Sequence, residues 1–238
     1  MLDRQKMEGL ANTNFRHLGW NQYPGRVLIL GVDVQGKPTI VYAIMGRSEN
    51  SRNRQFVLDK KGNVRTEAID ASKVTNPELI IYPAVMSAGS LTVVSNGRQT
   101  ETILERNDLS NGLRDWIYEP DKPNYTPRIS ATFERSTRLG QMAILRRTEY
   151  GGTERAIFVY AADGSIPAGF GMMLTTYDGD GDPLPSYTGG PKLVPLFETA
   201  NTADIYWDTL NAGNRVALVT RTIELDPQLP STTRIINK

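Results

Sequence analysis

Short apolar, often β-branched runs separated by turn signals recur from Arg26 to Tyr177, and this rhythm limits the fold more than any single motif. Residues 26–34 and 39–45 flank Gln35-Gly36, and residues 55–58 and 64–69 flank Lys60-Lys61-Gly62-Asn63. Residues 79–85 and 91–95 flank Ser87-Ala88-Gly89-Ser90. After a strand at 128–133, residues 142–147 and 155–161 bracket Tyr150-Gly151-Gly152-Thr153, and 169–177 follows Asp163-Gly164. Each pair has the composition of a hairpin.

Helical spacing is confined to a few places. Residues 100–106 have a short helix's composition, with Glu101 near the positive end. Leu113, Trp116 and Ile117 give 109–117 another helical turn. The clearest helix is 200–210: Ala203, Tyr206, Trp207 and Leu210 share one face, Asn201 or Thr202 can cap it, and Gly213 lies past its end. Strands in hairpins with two or three helices predict an α+β fold with antiparallel sheet.

With 238 residues, 39% of them hydrophobic, the chain can fill a sizeable core, and nothing divides it into two domains. Residues 1–22 are expected to be a polar N-terminal extension anchored only by Leu10, Phe15, Leu18 and Trp20. Residues 23–225 form one domain, and 226–238, with two prolines, a C-terminal tail.

Lys and Arg number 27 against 26 Asp and Glu, so the overall field supports neither bulk nucleic-acid binding nor an anionic-membrane partner. Cysteine is absent, which excludes disulfides, thiolate zinc sites and a thiol nucleophile. His17 is the single histidine, so a two-histidine metal site is excluded, and with His17 the only base available and no G-x-S-x-G elbow a serine triad is disfavoured. No metal and no cofactor is expected. No run approaches the roughly 20 apolar residues of a membrane span, and the N-terminus lacks a signal peptide's apolar stretch. The expectation is a cytoplasmic, soluble protein.

Two near-motifs fail on physical grounds. Gly31 to Pro38 nearly matches a phosphate-binding loop, but Pro38 has no hydroxyl for magnesium, and a strand follows where a helix is required. Asp178, Asp180 and Asp182 resemble the start of a calcium loop, yet its twelfth position is Gly189 and Pro183 and Pro185 intrude.

The polar connection Met45-Gly46-Arg47-Ser48-Glu49-Asn50-Ser51-Arg52-Asn53-Arg54 holds three arginines and two asparagines between two predicted strands. Guanidinium forks, amides and the Ser48 and Ser51 hydroxyls are donors suited to phosphate or carboxylate oxygens. A solvated loop with its arginines in water is the competing reading.

Further segments occur in a telling order: Tyr23-Pro24-Gly25-Arg26, the loop from Gly46 to Arg54, Val94-Ser95-Asn96-Gly97-Arg98-Gln99-Thr100, Leu113-Arg114-Asp115 and Thr126-Pro127-Arg128-Ile129-Ser130-Ala131. In that order the sequence resembles the archaeal-type inosine monophosphate (IMP) cyclohydrolase family over about 23–222. The resemblance implies a four-layer α-β-β-α sandwich like that of the N-terminal-nucleophile hydrolases, used without self-cleavage. It implies closure of 5-formamidoimidazole-4-carboxamide ribonucleotide to IMP with loss of water.

By match to the family, Tyr82 and Glu119 stand at the catalytic positions, with Asp121 a rival to Glu119. Arg47, Asn53 and Arg54 would meet the phosphate or carboxamide, with Ser48 beside them and Arg26 and Arg128 as further cations. Asn96, Gly97 and Thr100 would shape the base pocket, or else form a strand-to-helix turn. The partner implied is a small purine ribonucleotide; assembly into a homo-oligomer is left open. A non-catalytic ribonucleotide-binding relative and an amide hydrolase on the same fold are the alternatives.

Overall fold

The structure, a computed structural model, describes residues 3–75, 77–160 and 166–238. The Asp163-Gly164 turn lies outside these. In chain order the elements are α1 (Arg4–Trp20), β1 (Arg26–Val32), β2 (Pro38–Met45), α2 (Glu49–Arg52), β3 (Gln55–Leu58), β4 (Val64–Glu67), α3 (Pro77–Ile80), β5 (Pro83–Ala88), β6 (Leu91–Ser95), α4 (Gln99–Glu105) and α5 (Leu109–Leu113). There follow β7 (Arg128–Glu134), β8 (Leu139–Arg147), β9 (Thr153–Tyr160), β10 (Phe170–Thr175), β11 (Lys192–Pro195), α6 (Thr199–Thr209), β12 (Arg215–Thr222) and β13 (Thr232–Asn237). The fold is α+β with two antiparallel sheets, ordered β11-β10-β1-β2-β12-β13 and β3-β4-β5-β6-β7-β8-β9.

Hairpins form as β1-β2, β3-β4, β5-β6 and β8-β9. The strand expected over 79–85 opens as α3 and begins only at Pro83, and β10 joins β1 in the first sheet and does not pair with β9. Strands β1 and β2 show why the hairpins form. Leu28, Leu30, Ile40, Tyr42 and Ile44 belong to a core shared with Phe56, Ala84, Ile129 and Met142 of the second sheet. The alternate residues Val27, Ile29, Val41, Ala43 and Met45 pack with Leu18 of α1 and with Ala203 and Tyr206 of α6. Because side chains alternate across a strand, a sheet covered on both faces needs an unbroken apolar run. A third core joins Leu91, Val93, Ala143 and Leu145 of the second sheet to Ile103, Leu109 and Leu113 of α4 and α5.

Two stretches differ from expectation. The N-terminal extension is the 17-residue helix α1, held on the first sheet by Ala11, Phe15 and Leu18 at helical spacing. Phe15 meets Tyr206 edge-to-face at 5.2 Å, whereas Leu10 and Trp20 are exposed. The expected tail contains β13, paired with β12 from Ala217↔Asn237 to Thr222↔Thr232. The side-chain amide of Asn237 donates to the Phe56 carbonyl at 3.1 Å and its oxygen accepts the Phe56 N–H at 2.9 Å. The chain end thus ties the first sheet to β3, directly after the cationic loop. At α6 the residue before the helix is Glu198, without a side-chain cap, and Thr202 donates to the Phe197 carbonyl instead.

Candidate active site

At one end of the space between the sheets, apolar side chains give way to charge. The entry to β1 begins this change. Gly25 has φ +75°, and a Cβ there would lie 2.2 Å from Thr176 Oγ1, so only glycine allows the approach. Thr176 Oγ1 accepts the Arg26 N–H at 3.0 Å, which fixes the first residue of the strand. Arg26 shares strand parity with Leu28 and Leu30 and therefore belongs to the inter-sheet side. By the same parity Arg54 leads into Phe56, and Tyr82 into Ala84.

Arg54 is 1% exposed, yet one hydrogen bond serves its guanidinium, from Nη2 to the Met45 carbonyl at 3.3 Å. Its Nε and Nη1, and Nε of Arg26, are buried without a partner. Burial, then the neighbouring Arg26, lowers the Arg54 pKa to about 10, so it stays a cation at neutral pH. Two desolvated cations with unused N–H groups are costly unless an anion completes them.

Glu119 faces them from the loop after α5. It is buried, its backbone N–H donates to the Thr126 carbonyl at 2.8 Å, and Asn96 Nδ2 donates to its Oε1 at 3.1 Å. Arg128 Nη1 lies 3.7 Å from the same oxygen. Burial, only partly offset by Arg26 and Arg128, raises the Glu119 pKa to about 7. Asp121 also lines the cleft, but Thr126 engages both its oxygens, with Oδ1 accepting the backbone N–H at 2.7 Å and Oδ2 the hydroxyl. Among the described residues the one hydrogen bond to the Glu119 carboxylate goes to Oε1, so its Oε2 has no hydrogen-bond partner.

These groups line a cleft of about 290 Å³, near the lower end for small-ligand sites. Arg26, Arg54 and Glu119 line it together with Arg47, Ser48 and Tyr23. Arg47 is half-exposed, stacks over the Tyr23 ring at 5.0 Å and pairs with Asp180. Ser48 caps α2, its Oγ accepting the Ser51 N–H at 3.1 Å.

Tyr82 is 2% exposed and lies behind the cleft wall, its hydroxyl 2.8 Å from that of Tyr42. Asn53 does not line the cleft: its amide oxygen accepts the Asp70 N–H at 2.8 Å and its Nδ2 donates to the Asp70 carbonyl at 2.6 Å. Asn96, Gly97 and Thr100 form the strand-to-helix turn. Asn96 Nδ2 also donates to the Pro127 carbonyl at 2.9 Å, and its Oδ1 accepts from Gln99 at 3.1 Å and from the Ile129 N–H at 2.8 Å. That full set fixes the amide that meets Glu119. A Cβ at Gly97 would lie 2.5 Å from Arg128 Nη1, and Thr100 Oγ1 donates to the Gly97 carbonyl at 3.0 Å. Arg128 lies 4.7 Å over the Trp116 ring and donates to the Ile117 carbonyl at 2.9 Å.

Sequence reasoning did not place Leu184 or Asn124 at the site, yet both line the cleft, joined by the Leu184 N–H donating to Asn124 Oδ1 at 3.0 Å. The 60 residues between them hide that contact from any local pattern. Among the described residues no group of three or more His, Cys, Asp or Glu is placed to hold a metal ion, and no helix is long and apolar enough to cross a membrane.

Residues 23–227 match the family described as IMP cyclohydrolase-like protein. The chain belongs to that family. The IMP cyclohydrolase of Methanococcus aeolicus is 30% identical over 126 residues, covering 48% of this chain and 60% of that protein. The IMP cyclohydrolase of Methanocaldococcus jannaschii is 32% identical over 124 residues, covering 48% and 58%. That of Methanococcus maripaludis strain S2 is 28% identical over 121 residues, covering 48% and 59%. The chain thus spans about three-fifths of these relatives' length. The family match takes in Arg26, Arg54, Tyr82 and Glu119 alike.

Proposed function

We propose that this member of the IMP cyclohydrolase family closes 5-formamidoimidazole-4-carboxamide ribonucleotide to IMP, the final step of purine ring assembly. The observation that carries the reading is the meeting of Glu119, with a pKa of about 7, and two buried arginines with unpaired N–H groups in one cleft. A ribonucleotide-binding protein needs the arginines alone. A carboxyl group poised at neutrality is what proton transfer needs. The relatives named IMP cyclohydrolase support the same reading.

In this reading the reactive end of the substrate enters between Arg26, Arg54 and Glu119, and its phosphate stays at the mouth with Arg47 and Ser48. The carboxamide nitrogen and the formyl carbon belong to one molecule, so holding them in the reactive rotamer supplies much of the acceleration. Ionised Glu119 takes a proton from the carboxamide nitrogen as the new nitrogen–carbon bond forms. The unpaired N–H groups of Arg26 and Arg54 meet the negative charge growing on the formyl oxygen. Tyr82, packed behind the cleft wall beside both guanidiniums, would add an O–H donor to that oxygen. Loss of the formamide N–H then releases the oxygen as water, with Glu119 relaying protons in both halves of the reaction.

Asn96 keeps one Glu119 oxygen in place, which leaves the other for the substrate. The three apolar cores arrange helices α1 and α6, the two sheets, and α4 and α5 in succession. That order supports a four-layer α-β-β-α sandwich of the N-terminal-nucleophile-hydrolase type.

Ring closure followed by ultraviolet absorbance tests the proposal. The parent is expected to turn over, with kcat/KM rising as Glu119 ionises through pH 7 or so. Glu119→Gln is expected to lose about 10³-fold in kcat while still binding IMP. A folded parent that binds IMP but closes no ring would leave a ribonucleotide-binding relative; one that does neither would end the reading.

A further inference from the structure

We infer that Asp180 is a built-in counter-ion that holds the phosphate position on Arg47 and is exchanged for the ligand's phosphate. This deepens the nucleotide reading above and rests on it for the identity of the natural ligand. Residues 178–186 form a strap beside the cleft, closed at its base by the Tyr177↔Ser186 bridge and by the Asp178 N–H donating to the Pro185 carbonyl at 3.0 Å. One edge is tethered by Leu184 to Asn124, and the Asp178 carbonyl accepts from Asn21 Nδ2 at 3.1 Å. At its tip Asp180 Oδ1 pairs with Arg47 Nη1, and the same nitrogen donates to the Gly181 carbonyl at 3.0 Å.

Each part of this arrangement suits exchange. The Gly181 N–H donates to Asp180 Oδ1 at 3.0 Å, so the strap's own backbone orients the carboxylate at Arg47. The Arg47 guanidinium is kept at the cleft wall by the Tyr23 ring, independently of Asp180. Both partners of the ion pair are open to water, at 37% and 48% side-chain exposure. Such an exposed pair is screened by water and worth little, whereas a phosphate offers two charges and several oxygens to the same fork.

The deeper cations behave otherwise. Arg26 and Arg54 are buried with unpaired N–H groups, and among the described residues no carboxylate forms an ion pair with them, so the strap meets the mouth of the site and not its interior. A larger hollow of about 490 Å³ lies on the other side of Asp180, beneath α1. Release of Arg47 therefore leaves Asp180 with a place in solvent.

Binding of inorganic phosphate, followed by phosphorus NMR titration, tests this without assuming a nucleotide. Asp180→Asn is expected to bind phosphate about 3-fold more tightly than the parent. That gain should vanish when Arg47→Ala is added. Asp182→Asn removes the same charge from the strap without touching Arg47 and should leave affinity within about 1.5-fold. Equal affinity of parent and Asp180→Asn, or an equal gain from Asp182→Asn, would overturn the inference. Parallel titrations with IMP separate the two readings: a phosphate gain without IMP binding would leave the counter-ion standing and remove the nucleotide.

Discussion

The protein buries arginine at two sites between its sheets, and the two are built on opposite terms. Arg221, 5% exposed, donates from Nε to Thr233 Oγ1 at 3.1 Å, from Nη1 to Ser87 Oγ at 3.2 Å and from Nη2 to the Gly62 carbonyl. Every nitrogen of its guanidinium is used, and the bonds join β12 and β13 to β5 and to the β3–β4 turn of the other sheet. Arg54 is more deeply buried and has a single bond. Burial alone therefore does not mark function; burial with donors left over does, because the fold has desolvated a charge and supplied nothing in return.

The comparison breaks most sharply on activity. Arg54→Met should lower kcat/KM about 10²- to 10³-fold, the loss of a donor aimed at developing charge, while Arg221→Met should leave it within about 2-fold. Steady-state kinetics of both variants would show it, and a comparable loss in both would mean that Arg54 acts through the fold. Stability should reverse the order. Arg221→Met is expected to lose about 2–3 kcal/mol in denaturant titration, since several charge-assisted hydrogen bonds go at once. Arg54→Met should lose nothing, and gain about 1 kcal/mol if its unpaired N–H groups carry the penalty assigned to them.

Sequence legibility follows the same division. The strands of the sheet centre were readable because both faces are covered and the residues are apolar without a break, as in β2 from Thr39 to Met45. The helix α1 was not, because Ala11, Phe15 and Leu18 make a stripe too narrow to stand out from a polar majority. The strand β13 resembled a tail because an edge strand with Thr, Arg and Asn around two isoleucines has no fully buried residue.

Within the cationic loop the chemistry was visible but the partition was not. Three arginines read alike, yet Arg47 meets Asp180, Arg52 donates to the Gly46 carbonyl at 2.9 Å and Arg54 is sealed inside. Parity with inward Phe56 could have singled out Arg54. Nothing local could have shown Asn53 bound to the backbone of Asp70, 17 positions away. Tyr82 and Glu119 came from resemblance, and the environment of Glu119 is a tertiary property that no motif contains.

Glu119 extends the comparison to pH. Its folded pKa, about 7, stands above its ordinary value of 4.5, so the folded protein holds a proton that the unfolded chain has released. Stability from this group is present below the ordinary value and is lost as pH rises through about 7. Relative to the parent, Glu119→Gln should be unchanged near pH 4 and more stable by about 3 kcal/mol at pH 8. Thermal unfolding at both values would reveal it. A variant no more stable at pH 8 than at pH 4, relative to the parent, would mean that Arg26 and Arg128 offset the cost of burial and that Glu119 is an ordinary ionised partner.

The smallest effect concerns the two tyrosines behind the arginines. Tyr42 and Tyr82 bring two hydroxyls within 2.8 Å, and a single hydrogen bond between them uses one proton and leaves the other free. If Tyr42 donates, the Tyr82 proton is the free one, and Arg26 and Arg54 cannot accept it because guanidinium has no acceptor. In the proposed reaction the formyl oxygen of the substrate can. Tyr82→Phe should then lower kcat about 10-fold, near 1.4 kcal/mol, with KM almost unchanged. Tyr42→Phe removes the donor but leaves the free O–H, so its loss should stay within about 3-fold. Equal losses in the two variants would make the pair a spacer behind the arginines, and the whole chemical burden would then fall on Glu119 and the two guanidiniums.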